Sequence, residues 1–278
     1  MRDNEILLIT KGHPFERDAF FKLFDALAGV RYTHVEQPAA QVFFAPELAK
    51  PYDAFVLYDM PGIRFRGDAP PDYFEPPEAL GRHMEALLER GIGLVFLHHA
   101  IAGWPAWARY AEIVGGRFLY LPGELRGARR QDSGYRHAVT HEVHVVADHP
   151  VTRGLPKTFS ITDELYLYEV FEDSVVPLLR SGHAFVRNNF YSAAKVVREG
   201  KMFSNDGWEH DRGSDLIGWA KHYRNSPIVY LQCGDDPNAY GNPHFRMLLG
   251  NAIARVSSAQ ARDWARDRND ADRKRSPG

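Results

Sequence analysis

The clearest shortage in this 278-residue sequence is cysteine, because Cys233 is the only one. A single cysteine excludes an internal disulfide and a zinc site built from cysteines. No apolar run approaches the roughly 20 residues that are needed to cross a bilayer, and the N-terminus lacks a signal-peptide pattern. We therefore expect a cytoplasmic protein without a membrane partner.

An excess of charge of one sign is also lacking. The 34 Lys and Arg residues are offset by 36 Asp and Glu residues, which gives a formal net charge of −2. The sequence shows no basic stripe of the kind that a phosphate backbone requires, so we expect no nucleic-acid partner. What is present is ordinary for a globular protein, with 44% hydrophobic residues in a chain long enough to bury a sizeable core.

Strands and helices alternate in the first hundred residues, which is typical of a doubly wound, flavodoxin-like α/β fold with a mostly parallel sheet. Apolar runs predict strands at residues 6–10, 32–35, 53–58, 94–97 and 228–232. Between residues 116 and 181 the rhythm is lost, and short strand-like runs indicate an inserted antiparallel extension. We expect one domain over residues 1–256 and a charged C-terminal tail over 257–278, either a frayed helix or disordered.

Residues 91–104 are the centre of this organisation. Their apolar run predicts a buried parallel strand, and two adjacent histidines, His98 and His99, follow it directly. A helix is predicted from near Trp104 to Gly115. A unit of strand, turn and helix presents a reactive side chain at the carboxyl edge of an α/β sheet.

Polar side chains follow four of the predicted strands, namely His13, Asp59, the pair His98 and His99, and the pair Asp235 and Asp236. Turns at the carboxyl ends of parallel strands lie side by side, so we expect these groups to share a pocket. For Asp59 and Asp236 a solvated turn or a helix cap is an equally good explanation. His98 occupies the bend itself, where a neutral imidazole can act as a general base or as a metal ligand.

Other polar features have simpler structural explanations. His141 and His144 lie three apart in an alternating run, so they face opposite sides of a strand and do not converge on one ion. Cys233 is expected to be a buried thiol. Asp163 and Glu164, taken alone, fit a surface turn. No supporting context surrounds the remaining histidines of interest, which are His137, His183 and His222.

Several stretches taken together resemble the ThuA family, which is named for trehalose utilisation. The most specific are His-Pro-Val-Thr-Arg-Gly-Leu-Pro at 149–156 and Asp-Glu-Leu-Tyr at 163–166. Gly-Leu-Val-Phe-Leu-His at 93–98, Trp104 with Gly-Gly-Arg-Phe at 115–118, and residues 229–234 leading to 242–245 also match. The order and spacing of these stretches agree over most of residues 5–256.

The resemblance implies a fold related to the class I glutamine amidotransferases and a role in carbohydrate metabolism, on oxidised (keto) sugars. His98 stands where those enzymes carry a cysteine nucleophile, so we expect no glutaminase activity. One departure concerns the last strand, which is commonly followed by Gly-His-Asp or Gly-His-Glu in the family but by Gly234-Asp235-Asp236 here. If that histidine functions in relatives, Asp235 replaces it or the activity has changed.

Two hypotheses follow from the resemblance. The first is an enzyme in which His98, Glu164 and Asp235 are catalytic, with a divalent metal such as zinc or manganese and no nucleotide cofactor. Its reaction is proton transfer on a keto-sugar or glycoside, as in isomerisation, elimination or hydrolysis, and relatives suggest a homo-oligomer. The predicted sugar-binding side chains are His13, Asp59, His99, Trp104, Tyr240 and His244. The second hypothesis is a non-catalytic sugar-binding or scaffolding module, stabilised by ligand without turnover or bound metal.

Overall fold

The computed structural model describes residues 2–67 and 69–275. Its strands, in chain order, are β1 Asn4–Lys11, β2 Val30–Glu36, β3 Ala54–Asp59, β4 Ile63–Arg64, β5 Asp72–Tyr73, β6 Gly93–Leu97, β7 Gly116–Arg117, β8 Gly123–Leu125, β9 Ala128–Arg130, β10 Gly134–Val145, β11 Thr158–Leu167, β12 Glu169–Val170, β13 Val176–Ser181, β14 Tyr191–Ser192, β15 Leu216–Tyr223 and β16 Ser226–Leu231. Its α-helices are α1 Arg17–Asp25, α2 Glu78–Arg90, α3 Ala108–Val114, α4 Ala193–Glu199, α5 Pro237–Gly241, α6 Pro243–Ser257 and α7 Ala259–Arg275.

Ten of the strands form one sheet, in the order β11-β10-β13-β15-β16-β6-β3-β1-β2, with β14 paired to β10. The strands β16, β6, β3, β1 and β2 are parallel to one another, which is the flavodoxin-like order predicted from the sequence. The strands β15, β13, β10 and β11 continue the same sheet with antiparallel pairing. The predicted antiparallel extension is therefore part of the central sheet, which continues beyond β16 on the side away from β6.

Apolar side chains cover both faces of the parallel half because helices pack on both sides of it. Along β1, Ile6 and Leu8 join the cluster under α1 and α6, whereas Leu7 and Ile9 join the cluster under α2 and α3. All residues of β3 and β6 are buried. These strands consequently end in a dry core, and polar groups at their carboxyl ends are shielded from bulk solvent.

The chain that follows β6 differs from the prediction of a helix starting near Trp104. Residues His98–Ala102 form a 3₁₀ turn, and α3 begins only at Ala108. Trp104 has a φ of 45°, and its N–H donates to the Pro61 carbonyl at 2.7 Å, so the chain bends there and does not enter a helix. The predicted end of the helix is correct, because Gly115 caps α3 with a φ of 96°.

The charged tail is ordered over most of its length, so the disordered alternative is wrong for residues 259–275. These residues form α7, which packs against β15 and β16. Ala261 and Ala265, four residues apart, lie on one face of the helix and are fully buried. These small side chains let α7 approach the sheet closely. Because the buried face of α7 has few large apolar residues, the sequence shows no clear amphipathic pattern there. Residues 276–278 lie outside the described part of the chain.

No helix within residues 2–67 and 69–275 is long and apolar enough to span a bilayer.

Candidate functional site

His98 is placed at the carboxyl edge of the sheet by an unusual backbone conformation. β6 ends at Leu97, and His98 has a φ of 48°, a left-handed conformation that non-glycine residues rarely adopt. Its carbonyl accepts a hydrogen bond from the Tyr230 hydroxyl at 3.1 Å, which ties the bend to the neighbouring strand β16. The His98 side chain is fully buried. Strain of this kind persists where the surrounding structure enforces it and is common at functional sites.

The hydrogen bonds of the His98 ring fix its chemistry. Nδ1 lies 2.6 Å from the Gln232 carbonyl oxygen, an acceptor only, so Nδ1 carries a hydrogen. In the neutral ring, Nε2 then holds the lone pair. Nε2 lies 3.0 Å from Glu164 Oε2, 3.4 Å from Asp235 Oδ1 and 2.6 Å from the Tyr166 hydroxyl. An imidazole nitrogen thus faces two carboxylates and a phenol that come from distant parts of the chain.

Glu164 and Tyr166 lie on β11, two residues apart, so their side chains point to the same face. On the neighbouring strand β10 the register shifts between Arg136 and Val139, and Ala138 has a φ of 52°. This bulge turns His137 towards Glu164, and its Nδ1 lies 3.2 Å from Glu164 Oε1.

His137 also lies 4.0 Å from Asp235 Oδ2. Each of the two carboxylates therefore directs one oxygen at His98 and its other oxygen at His137. We refer to His98, Glu164 and Asp235, with His137 and Tyr166 in contact, as the imidazole–carboxylate cluster.

Asp163 positions Asp235 by accepting hydrogen bonds from the backbone of the Asp235 loop. One carboxylate oxygen of Asp163 accepts the N–H groups of Glu164 at 2.9 Å and Asp235 at 3.0 Å, and the other accepts the N–H of Gly234 at 2.7 Å. Gly234 has a φ of 122°, which glycine adopts without strain. The Tyr240 hydroxyl donates to the Asp235 carbonyl at 2.7 Å. The loop that carries Asp235 is thereby fixed by a carboxylate on β11.

Replacing Asp163 with Asn should destabilise the protein by about 2 kcal/mol, because the amide NH₂ must face at least one backbone N–H that now has an acceptor. Burial raises the pKa of Asp163 to about 7, against the His98 charge and the backbone N–H donors that lower it, so the wild type loses stability as the pH rises from about 4 to 7, whereas the non-titrating Asn variant does not. Urea denaturation should therefore be measured at about pH 4, where this pH-dependent loss is small. Asp236→Asn is the matched control, because Asp236 only caps α5 and Asn caps equally well. Equal midpoints for the wild type and Asp163→Asn would contradict this role.

The electrostatics of the cluster favour an ion pair in the absence of other ligands. Burial disfavours the charged form of His98, but hydrogen bonds and charges from Asp235 and Glu164 outweigh it and raise the pKa of His98 well above its usual value. Burial likewise opposes ionisation of Asp235, and the hydrogen bond and charge of His98 outweigh it, so the pKa of Asp235 is lowered. A cation beside the two carboxylates is therefore favoured, whether a proton on His98 or a metal ion.

The cluster also satisfies the basic geometric requirement for a metal. One ligand atom each from His98, Glu164 and Asp235 can be chosen so that all lie within 4.8 Å of one another. One imidazole nitrogen and two carboxylates suit zinc, manganese and related divalent ions. The Nδ1 hydrogen bond of His98 is the kind of contact that orients a metal-binding histidine. The residues present therefore fit a divalent metal.

A cavity of about 310 Å³ lies over the cluster. Glu164, His137 and His13 supply its polar wall, and Tyr120, Tyr135 and Tyr166 belong to its aromatic wall.

His13 stacks on His99 with ring centroids 4.5 Å apart. His99 itself is buried behind His13, with Nε2 3.2 Å from the Tyr58 carbonyl, and it does not line this cavity.

Four other predicted sugar-binding residues also lie away from this cavity. Asp59 is fully buried and accepts a hydrogen bond from Gln37 at 2.7 Å. Trp104 is 7% exposed and packs over Gly62.

The remaining two rings fill the core or cover another surface. Tyr240 is buried, and its hydroxyl contacts Tyr58 at 2.9 Å. His244 packs on Phe159 at the start of α6. For all four residues the geometry corrects the expectation of contact with a sugar in this cavity, because each side chain is engaged in packing or hydrogen bonds elsewhere.

Two members of the cluster were not predicted as site residues. Tyr166 belongs to the Asp-Glu-Leu-Tyr stretch, and its spacing of two from Glu164 on a strand was the available signal. His137 gave no such signal, because its orientation depends on the β10 bulge.

The surface turn expected from Asp163 and Glu164 alone is wrong, because both residues are buried within β11. Other sequence predictions for polar residues agree with the structure. Cys233 is a buried free thiol. Asp236 accepts the N–H groups of Asn238 and Ala239, so its helix-cap interpretation is confirmed. Among the described residues, His141 and His144 belong to no potential metal cluster; the His141 ring contacts the Ser181 hydroxyl at 2.9 Å, and the His144 ring contacts Glu142 at 3.4 Å.

The architecture and the cluster define a flavodoxin-like α/β protein with an imidazole and two carboxylates at the carboxyl edge of its parallel strands. A family model described as "ThuA: Trehalose utilisation" matches residues 17–254, and the chain belongs to this family. The resemblance seen in the sequence is therefore confirmed.

Solved structures with similar folds include ThuA-like proteins. The protein from Parabacteroides merdae ATCC 43184 is 17% identical with a TM-score of 0.62, covering 92% of this chain and 91% of the other. The protein from Bacteroides uniformis ATCC 8492 is also 17% identical, with a TM-score of 0.61 and the same coverages. A cytoplasmic protein from Salmonella typhimurium LT2 is 13% identical with a TM-score of 0.55, covering 91% of this chain and 100% of the other. No curated protein matches the sequence. At these identities the likeness shows the fold alone.

Proposed function

We propose that this protein is a carbohydrate-active enzyme that holds a divalent metal at His98, Glu164 and Asp235 and transfers a proton next to the carbonyl of a keto-sugar or keto-glycoside. The observation that carries this proposal is the meeting of one imidazole and two carboxylates, of which Glu164 lines a cavity together with His13 and His137. Membership of a family described by trehalose utilisation supports a sugar as the substrate class. The cytoplasm is the compartment that we propose for it, in line with the cytoplasmic protein of similar fold from Salmonella typhimurium.

His98, Glu164 and Asp235 would be the metal ligands. A bound divalent ion would polarise the substrate carbonyl and stabilise negative charge that develops on its oxygen. His137 holds the cluster in place because it contacts the carboxylate oxygens that face away from His98, and the Gln232 carbonyl holds the His98 ring through Nδ1. Such supporting contacts preserve the direction in which each ligand atom points. The Tyr166 hydroxyl, which contacts Nε2, would give up that position to the ion.

His13 is the candidate for moving the proton. Its Nδ1 lies 2.8 Å from the Pro14 carbonyl oxygen and so carries a hydrogen, which leaves Nε2 as the acceptor of the neutral ring. Burial, followed by the charge of His98, lowers the pKa of His13, with Glu164 and Asp235 acting in the opposite direction. The ring is therefore neutral near pH 7, the form that a general base requires. His13 lines the same cavity as Glu164, so both can contact one bound sugar.

Isomerisation and elimination share a first step in which the carbon beside the carbonyl loses a proton, and hydrolysis of a keto-glycoside can follow the same route. His13 would supply the base, and a cation held by the cluster would stabilise the charge that develops on the carbonyl oxygen. A base and a group that stabilises the developing charge are what this class of reaction needs.

Removing the metal should abolish turnover. After treatment with a chelator, we expect turnover of methyl glucoside oxidised to a ring ketone to fall at least 100-fold and to return on addition of Zn²⁺ or Mn²⁺. The melting temperature should rise on metal addition, because an ion that binds only the folded state stabilises it. Full turnover by metal-free protein would overturn the metal's role. Saturable sugar binding without turnover in any metal-loaded sample would instead favour the non-catalytic sugar-binding module.

A further inference from the structure

We infer that the cavity selects a glycoside whose non-sugar part is a flat apolar group, such as an aryl aglycone, in preference to a second sugar ring. The inference rests on the proposed function, because it assigns the sugar to the polar end of the same cavity. It concerns the part of the substrate that does not react, and it follows from the uneven distribution of polar groups around the cavity wall.

The polar side chains of the cavity lie together. His137 contacts Glu164 at 3.2 Å, and charge interactions couple His13 to Glu164 as well. The rest of the wall is largely apolar and includes Met60, Phe65, Phe118, Val196, Val197 and Met202. A ligand that fills the cavity must therefore present hydroxyls at one end and a surface without hydrogen-bonding groups at the other.

The tyrosines of the wall offer few hydrogen-bonding positions to additional hydroxyls, because each tyrosine hydroxyl already makes one contact. Tyr166 contacts His98 at 2.6 Å, and Tyr120 donates to the Met60 sulfur at 3.3 Å. The Tyr135 hydroxyl accepts the N–H of Phe203 at 3.1 Å. A second sugar ring placed here would bury hydroxyls without partners, which is unfavourable, whereas a phenyl ring would not.

Ring geometry also favours a flat group. Phe118 and Tyr120 have centroids 5.0 Å apart, Phe65 and Tyr120 5.1 Å apart, and both pairs meet edge to face. A further aromatic ring can extend such an arrangement with favourable offset or edge contacts. The aliphatic side chains of Val196 and Val197, from α4, supply the rest of the apolar surface.

The size and mouth of the cavity fit one sugar and one small substituent. Its volume of about 310 Å³ is at the lower end of the range for small-molecule pockets. Phe65 and Met202, which line it, are 45% and 54% exposed. They come from separate loops, one before β5 and one after α4, and carry the apolar surface out to the entrance. Exposed apolar side chains at the mouth of a pocket mark the path of an apolar ligand.

The test compares non-reacting analogues by isothermal titration of the zinc-loaded wild-type protein. Phenyl glucoside should bind at least 10-fold more tightly than methyl glucoside and more tightly than trehalose. Phe65→Ala should weaken phenyl glucoside binding about 5-fold and leave methyl glucoside binding unchanged. Phe74→Ala is the matched control, because Phe74 is also 45% exposed but does not line the cavity.

Equal affinities for phenyl glucoside and methyl glucoside would overturn the inference, and so would tighter binding of trehalose than of phenyl glucoside. A protein that binds none of the three ligands would overturn it as well. Equal effects of Phe65→Ala and Phe74→Ala would also overturn it. Zinc binding is measured separately on the same sample, so a protein that binds no zinc but still prefers the phenyl glucoside contradicts the proposed metal function alone.

Discussion

Glu164→Gln is expected to lower turnover of a keto-glycoside about 1000-fold, the scale of effect seen when a group that stabilises developing charge is removed. The substitution preserves the size of the side chain but removes the negative charge that faces His98 at 3.0 Å. In the wild type one Glu164 oxygen faces His98 and the other faces His137, so in the variant the amide NH₂ must face one of these two rings. Both the charge and the metal-binding geometry should be lost, and turnover can be followed by the disappearance of the ketone substrate.

The control for this experiment is Glu142→Gln, which alters a half-exposed carboxylate on β10 that lies 3.4 Å from His144. That variant should keep wild-type turnover. Circular dichroism and thermal unfolding of Glu164→Gln establish that its sheet is intact. A folded Glu164→Gln protein with turnover within a few-fold of the wild type would remove Glu164 from the mechanism.

Asp59→Asn is expected to make the protein more stable than the wild type as the pH rises. Asp59 is fully buried, and its Oδ2 accepts from Gln37 at 2.7 Å. Within residues 2–67 and 69–275, its Oδ1 has no hydrogen-bond partner. Burial raises its pKa from 3.8 to about 7, with the Gln37 hydrogen bond acting in the opposite direction.

The direction of the pH effect follows from that raised pKa. Below about pH 4 the carboxyl is protonated in both the folded and the unfolded protein, and its full contribution to stability is present. As the pH rises towards 7 only the unfolded chain ionises, so the free energy of unfolding falls by about 1.4 kcal/mol per pH unit. Asn does not titrate. The stability of Asp59→Asn relative to the wild type should therefore increase by about 3 kcal/mol between pH 5 and pH 8.

Urea denaturation of both proteins at several pH values measures this difference. Any constant cost of burying the amide shifts the two curves by the same amount at every pH and leaves their divergence unchanged. Asp236→Asn, at the N-terminus of α5, is the control for the effect of an Asp→Asn substitution itself. Parallel curves for Asp59→Asn and the wild type would show that Asp59 does not hold a raised pKa.

Much of the fold could be predicted because the parallel strands carry their own signal. β3 and β6 are continuous apolar runs, and such runs identify strands that are buried on both faces. The carboxyl ends of parallel strands share one edge, so the meeting of His98 and Asp235 followed from strand order without knowledge of side-chain positions. The short strands of the insertion, such as β7 and β12 with two residues each, are held by tertiary pairing that local sequence does not encode.

The site was harder to predict wherever a side chain's direction depended on a local irregularity. His137 faces Glu164 only because β10 bulges at this point. Trp104 and Tyr240 were predicted to cover a sugar because aromatic residues in polar loops often do, yet both are buried in the core. Loop sequence reveals which groups are near an edge, whereas the packing decides which of them face the cavity.

The departure from the family pattern after the last strand has a structural counterpart. Asp235 directs one oxygen to within 3.4 Å of His98, and its N–H donates to the Asp163 carboxylate at 3.0 Å. A carboxylate at this position can bind a divalent ion as a histidine would, with one more negative charge. His137 places an imidazole on the other side of the same carboxylate.

The central claim is that His98, Glu164 and Asp235, which come from three distant segments, form one metal-binding site. Its most direct test is a crystal structure of the protein grown with zinc, with anomalous data collected at the zinc absorption edge. The predicted result is one strong peak about 2.0–2.2 Å from His98 Nε2 and from an oxygen of each carboxylate. A well-ordered structure with no peak at these three residues, or with zinc bound only elsewhere, would contradict it.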